Sequence, residues 1–329
     1  MKMSFQNITA LILAGIFVAI PSQAWAGSCC GGGGGSTLIV PKAGRAAVSL
    51  NTAIEKYDGY YDKQSSWHAD PPGSDLAQYR VELGIAQRLG TDWQGSVSLP
   101  YVWNNNSYAA VDSSTNGLGD MTLGVTYETF KAPTCVTRIS RLQDLKPTVY
   151  LGGGLLIPTG VSPYDEVENS FDITGRGFYR ADLNLMVEKT VFPWSVILSG
   201  GVGYHFSREI NREYGTYVQP YSKQLGRTVN GSLALGYTWD LPWQMTSGMT
   251  LIVTASLSDR WEAEAEIDGV RDEASGLRKR AVGLSSTLLS FGNDWALNLG
   301  WQTSRPASGW GSNTPATDVF SLGVRHDFY

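Results

Sequence analysis

The chain has 329 residues and a formal charge of −5, from 25 Lys and Arg against 30 Asp and Glu, a balance that argues against a nucleic-acid partner. A mean hydropathy of −0.14 excludes a bundle of membrane helices, and three cysteines are too few for a disulfide scaffold. The 38 glycines, 11 tryptophans and 16 tyrosines suit instead a protein that bends strands sharply and places aromatic rings at two interfaces.

Residues 1–26 read as a signal peptide. Lys2 supplies the positive start, Ile8 to Ile20 is mostly apolar, and Ala24-Trp25-Ala26 offers small residues at the two positions a signal peptidase reads. The apolar run is shorter than the roughly 18 residues a spanning helix needs. Cys29 after Ala26-Gly27-Ser28 invites a lipoprotein reading, but the large aliphatic residue expected three positions before it is missing. Residues 27–43 then form a Cys/Gly-rich tail expected in the periplasm, and residues 44–329 the body.

Through that body, stretches of about ten residues alternate apolar and polar with no helical period. Successive side chains of a strand point to opposite faces, so each stretch has one greasy and one wet face. Strand one is expected over about 44–57. Strand two carries Tyr79, Val81, Leu83 and Ile85 on one face, and strand three Trp93, Val97, Leu99, Tyr101 and Trp103. The pattern returns in Leu123/Val125/Tyr127, Val149/Leu151/Leu155/Ile157, Tyr179/Ala181/Leu183/Leu185/Val187 and Trp194/Val196/Leu198/Val202/Tyr204/Phe206. It continues in Val229/Leu233/Leu235/Tyr237/Trp239, Met249/Leu251/Val253/Leu257, a weaker strand ten at about 280–291, and Trp295/Leu297/Leu299/Trp301. The last strand, Phe320 to Tyr329, ends on aromatic residues of the kind a barrel-assembly machinery would recognise.

Short connections alternate with long ones, and outer-membrane barrels place tight turns in the periplasm and long loops outside. The expected fold class is therefore all-β, a transmembrane antiparallel up-and-down β-barrel of about twelve strands, in contact with outer-membrane lipid. The gap from Lys131 to Lys146 breaks this scheme, being long where a short turn is due. Asn104 to Asn116 is expected as a long outer loop.

With apolar faces toward lipid, the opposite faces line the interior. A charge facing the bilayer midplane would cost roughly 2–4 kcal/mol for Arg or Lys, so the phase of the charged residues is informative. Arg80, Glu82, Arg88, Glu128, Arg180, Asp182 and Glu188 take the inward phase, together with Glu55 and Asn184. Arg80, Glu82, Arg180 and Asp182 are the residues expected to set selectivity for a small-molecule permeant, in a narrow pore rather than a sealed plug.

Two outer segments are acidic, Asp165-Glu166-Val167-Glu168 and Glu262 to Asp268. They read as a divalent-cation site or as solvated loops, and the second run alternates as though a strand continued past the membrane. Cys29, Cys30 and Cys135 admit four readings: a disulfide pinning the tail to the barrel, which is preferred, a soft-metal site, lipidation of Cys29, or a dock for a periplasmic partner. No cofactor motif occurs, and a CxxCH haem site is absent. His68, His205 and His326 are the histidines, none beside a motif serine, and neither HExxH nor GxSxG occurs. An enzyme is not expected.

Gly117-Leu118-Gly119-Asp120 opens strand four, with Asp120 able to bond backbone amides. Gly154-Leu155-Leu156-Ile157-Pro158-Thr159-Gly160 closes strand five, where Pro158 offers no ladder donor. With Leu322-Gly323-Val324 of the last strand, these segments make residues 78 to 329 resemble the outer-membrane barrel family assigned to transport in the meta-cleavage phenol-degradation pathway. The resemblance implies a channel for small solutes, aromatic or apolar ones included. The other functional expectation is a structural or docking barrel for periplasmic redox, electron-transfer or metal-handling partners, reached through Cys29 and Cys30.

Overall fold

The computed structural model describes residues 38–108, 111–129, 134–167, 172–241, 248–290, 294–307 and 309–329. Twelve antiparallel strands form one cylinder: β1 (Ala46–Tyr61), β2 (Asp75–Arg88), β3 (Trp93–Tyr108), β4 in two segments (Val111–Leu118 and Met121–Thr129), β5 (Thr148–Ile157) and β6 (Arg180–Val191). The circuit continues through β7 (Trp194–His205), β8 (Thr228–Asp240), β9 (Thr250–Glu262), β10 (Leu277–Leu289), β11 (Trp295–Thr303) and β12 (Thr314–Phe328). Each strand pairs with its chain neighbours, and β12 pairs with β1 from Ala46↔Phe328 to Tyr61↔Thr314, so the barrel is closed. Closure leaves no free edge of unpaired amides, the condition for strands to cross hydrocarbon.

The period-two pattern lands as the sequence predicts. Leu50, Leu83, Leu183, Leu198, Leu257 and Leu299 stand exposed on the outer surface, an arrangement that only a lipid environment rewards. Rings bracket this band. At the short-turn end lie Trp93 on Tyr127, with ring centroids 4.9 Å apart, and Trp194 on Tyr237 at 4.8 Å. At the long-loop end Tyr101 packs on Trp103 at 4.7 Å and Tyr204 on Phe206 at 5.7 Å. By the rule of short inner turns and long outer loops, the first end is periplasmic and both described termini lie there.

Three local readings differ from the pattern-based ones. The stretch from Asn104 to Asn116 is mostly ladder, because β3 runs on to Tyr108 and β4 starts at Val111, pairing from Tyr108↔Val111 to Tyr101↔Leu118. Its Asn- and Ser-rich composition disguised it as loop. The acidic run after Glu262 leaves the barrel: Ala265–Ile267 and Val270–Asp272 form a hairpin that joins Arg208–Glu213 and Thr216–Gln224 in a separate four-stranded outer sheet. The long periplasmic gap holds a short parallel pairing of Cys135–Val136 with Thr190–Val191 and one 3-10 turn, Leu142–Leu145. No α-helix occurs among the described residues.

Candidate functional site: the lumen and its two mouths

The wall at mid-height is polar but small. Ser96, Ser199, Ser232, Ser256, Ser285 and Ser321 take the inward phase of their strands. Several sit beside an inward glycine on the next strand. A Cβ on Gly124 would lie 2.6 Å from Ser96 Oγ, and one on Gly84 would lie 2.6 Å from Ser49 Oγ. Each glycine thus leaves room for its neighbour's hydroxyl to lie along the wall instead of projecting into the lumen. The waist keeps hydrogen-bonding capacity without bulk.

Most ion pairs lie toward the mouths, while Glu82 stands one inward position from Gly84. At the outer mouth, β5 stops at Ile157, and Pro158-Thr159-Gly160 turns the chain inward. Thr159 Oγ1 donates to Gly119 O at 2.6 Å and accepts from the Met121 amide at 3.1 Å. The Asp120 carboxylate accepts the amides of Gly160 at 3.2 Å and Arg176 at 2.8 Å, so the expectation of backbone bonding at Asp120 is met across 40 and 56 residues of chain. A Cβ on Gly160 would stand 2.8 Å from the Gly175 Cα, so the two backbone turns touch only because both residues are glycine. Farther along, Asn104 Nδ2 donates to Ile173 O at 2.9 Å and Thr115 Oγ1 to Asp172 O at 3.1 Å.

From this anchored turn the Arg176 guanidinium reaches to β9, donating to Glu262 Oε2 at 2.7 Å and Oε1 at 2.6 Å. Glu262 is buried on the inward face of its strand. The loop 158–179 therefore ties β4 to β9, five strands around the cylinder, by one carboxylate–amide latch and one forked ion pair. Charge-assisted hydrogen bonds contribute about 1.5–3 kcal/mol each. On another side of the mouth Lys279 Nζ bridges Thr317 Oγ1 at 2.7 Å and Glu55 at 3.3 Å.

The periplasmic mouth holds the start of the described chain. Val40 is fully buried against Ala47 and Ala86, and Leu38 packs on that cluster. Both alanines face inward, so residues 38–43 run inside the cylinder, from the level of Gly84 down to Arg45. Their backbone is gripped by side chains. The Val40 amide donates to Gln94 Oε1 at 2.6 Å, Arg88 donates to Val40 O and Pro41 O at 3.2 Å each, and Arg325 donates to Ile39 O at 2.8 Å.

The predicted lumen residues sort into three groups. Arg88 and Glu128 meet at 3.0 Å, with Lys42 at 3.2 Å from the same buried carboxylate. Arg180 pairs with Asp182 at 2.8 Å on its own strand, and the exposed Arg80 donates to Gln78 Oε1 at 2.7 Å. Glu82 stands in register with Asn51 and Pro100, and the buried Glu188 with Thr148 and Ile197. Gln94, Arg260, Lys279 and Arg325 were missed, although their inward phase was readable. Arg176 was not readable, because its place depends on how a loop folds back.

Cys135 is disulfide-bonded and half-buried beside Thr190. Cys29 and Cys30, like the signal peptide, lie outside the described residues. The acidic outer runs are met by bases and amides: Asp165 accepts the Ser162 amide and hydroxyl at 2.7 Å each, and Glu166 pairs with Arg212. Bonds to Glu166 and Tyr217 hold the Arg212 guanidinium above its ordinary pKa. Among the described residues no group of three metal-ligating side chains assembles. His205 is buried, with Nδ1 2.9 Å from Gly226 O.

Residues 76–322 match the sequence pattern of the family described as "Putative MetA-pathway of phenol degradation". No curated protein matches the chain. Among solved structures it is similar to an outer membrane channel from Pseudomonas putida F1, with 15% identity, a TM-score of 0.63, and 89% of this chain and 97% of that one covered. It is also similar to the β domain of the Bordetella autotransporter BrkA, with 12% identity, a TM-score of 0.51, and coverage of 86% and 100%. At these identities the likeness is one of fold.

Proposed function

The chain belongs to that phenol-degradation family, and from this membership and the lumen we propose that it is an outer-membrane channel passing small solutes, aromatic ones among them. The observation that carries the reading is the inner wall. Much of the wall of the closed cylinder is serine, glycine and asparagine, with larger inward side chains such as Tyr150, Met186 and Ile252 on part of the circumference and Leu38 of the inner segment reaching Gly84, and ion pairs lie toward the mouths. Small polar groups offer a permeant replacement hydrogen bonds without filling the path. The loop across the outer mouth and the segment in the inner one narrow that path, which suits small solutes over folded or polymeric cargo.

We read the role as non-enzymatic, with His205 as a wall residue whose Nδ1 lies 2.9 Å from the Gly226 carbonyl oxygen. The clasped residues 38–43 and the disulfide at Cys135 favour a tail that is part of the barrel over a free docking arm. Single-channel recording of the full-length mature protein in planar bilayers tests the proposal. Discrete conductance steps, reduced by phenol-sized solutes in the millimolar range, are expected. A protein that inserts and folds yet carries no current would refute it.

A further inference from the structure

We infer that Arg260 is a docking point for small carboxylate anions in the outer mouth, so that organic anions are the favoured permeants; this rests on the channel reading above.

The argument is one of unequal pairing. Three guanidinium groups meet near the outer end of the lumen: Arg176, Arg180 and Arg260. Arg176 takes both oxygens of Glu262 in a fork at 2.6 and 2.7 Å, and Arg180 has Asp182 at 2.8 Å. Arg260 is two residues before Glu262 on the same inward face, and among the described residues its one ion-pair contact is with Glu262 Oε2 at 3.5 Å, an oxygen already accepting from Arg176. The register places the neutral Asn230 on one side of Arg260 and Lys279 on the other, and Lys279 is committed to Glu55. Arg260 also keeps 48% of its side-chain surface exposed.

A guanidinium has five donors in a planar fork, and this one has most of them unspent, on a wall facing the lumen, beside a second cation. That is a poor arrangement for stability and a fitting one for a transient planar anion. A carboxylate matches the fork in two parallel bonds, whereas an ammonium or a neutral alcohol gains nothing from it. The forked Arg176–Glu262 pair next to it leaves Arg260 a long contact to an oxygen already shared, which keeps most of the donors available. Because the site is half open to water, binding there would be weak enough to permit release.

The test uses the full-length mature protein in planar bilayers under a tenfold KCl gradient, with sodium benzoate as the probe and heat-modifiable gel mobility as the control for folding. Wild type is expected to pass anions over cations and to show benzoate-dependent current block. Arg260→Gln should lower the anion-to-cation permeability ratio at least threefold and weaken the block about tenfold. Asn230→Asp, which keeps Arg260 but gives it a fixed carboxylate in register, should do the same. Arg260→Lys should keep the permeability ratio and lose the block, since the charge remains but the fork does not. Unchanged selectivity and block in both Arg260→Gln and Asn230→Asp would overturn the inference while leaving the channel intact. A folded wild type without current would overturn the channel reading and this one with it.

Discussion

The carboxylate of Asp120 holds the backbone amide of Arg176 at 2.8 Å, and through it fixes the side chain that reaches Glu262 on the far side of β8. One acidic residue at a break in a strand thereby anchors Gly160 and Arg176, near the two ends of the loop 158–179, in the outer mouth. Asp120 has the right position because β4 is interrupted between Leu118 and Met121. That interruption turns the carboxylate toward the two amides instead of into the ladder.

Asp120→Ala removes the acceptor of two amides and should free the loop while the cylinder stays closed. Losing two charge-assisted bonds costs about 3–6 kcal/mol locally, which is more than a loop of this kind can spare. The expected outcome is trypsin cleavage at Arg176 in the detergent-solubilised variant but not in wild type, with little change in the resistance of the barrel to unfolding by heat. Equal protease resistance of the two proteins would show that the latch does not hold the loop.

The pairing of inward glycines with hydroxyls predicts a double-mutant cycle. Gly124→Ala places a methyl 2.6 Å from Ser96 Oγ, and overpacking of this kind costs about 1–3 kcal/mol. Adding Ser96→Ala removes the clashing oxygen, so the double variant should recover most of the lost stability, with a coupling near 1–2 kcal/mol for residues in contact. Urea unfolding in lipid vesicles measures it. Additive effects would mean that the glycine is there for another reason.

How far the sequence carries depends on which interaction fixes an element. Alternation fixes strands, because lipid on one side and water on the other enforce period two. So Leu83 and Leu183 face outward and Arg88 and Glu128 inward, as read from phase alone. Pairing along one strand, as in Arg180–Asp182, follows from spacing. What was illegible is whatever depends on backbone folding through space. The fork from Arg176 to Glu262, the entry of residues 38–43 into the lumen, and the detour of Ala265–Ile267 into a separate sheet leave no periodic trace. The polar ladder of Asn104 to Ser107 was misread as loop because it lies beyond the lipid, where alternation is no longer enforced.

Acid should loosen the first outer loop before the barrel. Asp62 accepts bonds from His68 Nε2 and the Ser66 amide, both at 2.8 Å, and the His68 bond first, then the amide, hold its carboxyl below the ordinary carboxylate range. A depressed value in the folded protein means a contribution fully present above the unfolded carboxylate pKa and lost as pH falls through the folded one. Fluorescence of Trp67 and protease access to Lys63 should therefore change below about pH 4. Asp62→Asn should show the acid form's access at neutral pH. Access unchanged on acidification through the carboxylate range would show that Asp62 does not hold the loop.

The inner mouth gives the last prediction. The segment 38–43 is held by Gln94, Arg88 and Arg325 through backbone atoms, and Lys42 lies in it, paired with the buried Glu128. Gln94→Ala removes one of the three grips and spares the Arg88–Glu128 and Arg325–Asp327 pairs, whose rupture would cost about 3–5 kcal/mol by stranding a buried charge. Trypsin added to solubilised protein should then cut after Lys42 at least tenfold faster than in wild type. Cys135 is disulfide-bonded, and the other cysteines of the chain are Cys29 and Cys30, so we propose that the bond joins the leader to the barrel. The cleaved fragment should accordingly stay with the barrel on a non-reducing denaturing gel and leave it only after a thiol reductant. Release without reductant would show that the tail is held by hydrogen bonds alone and that Cys135 serves some other pairing.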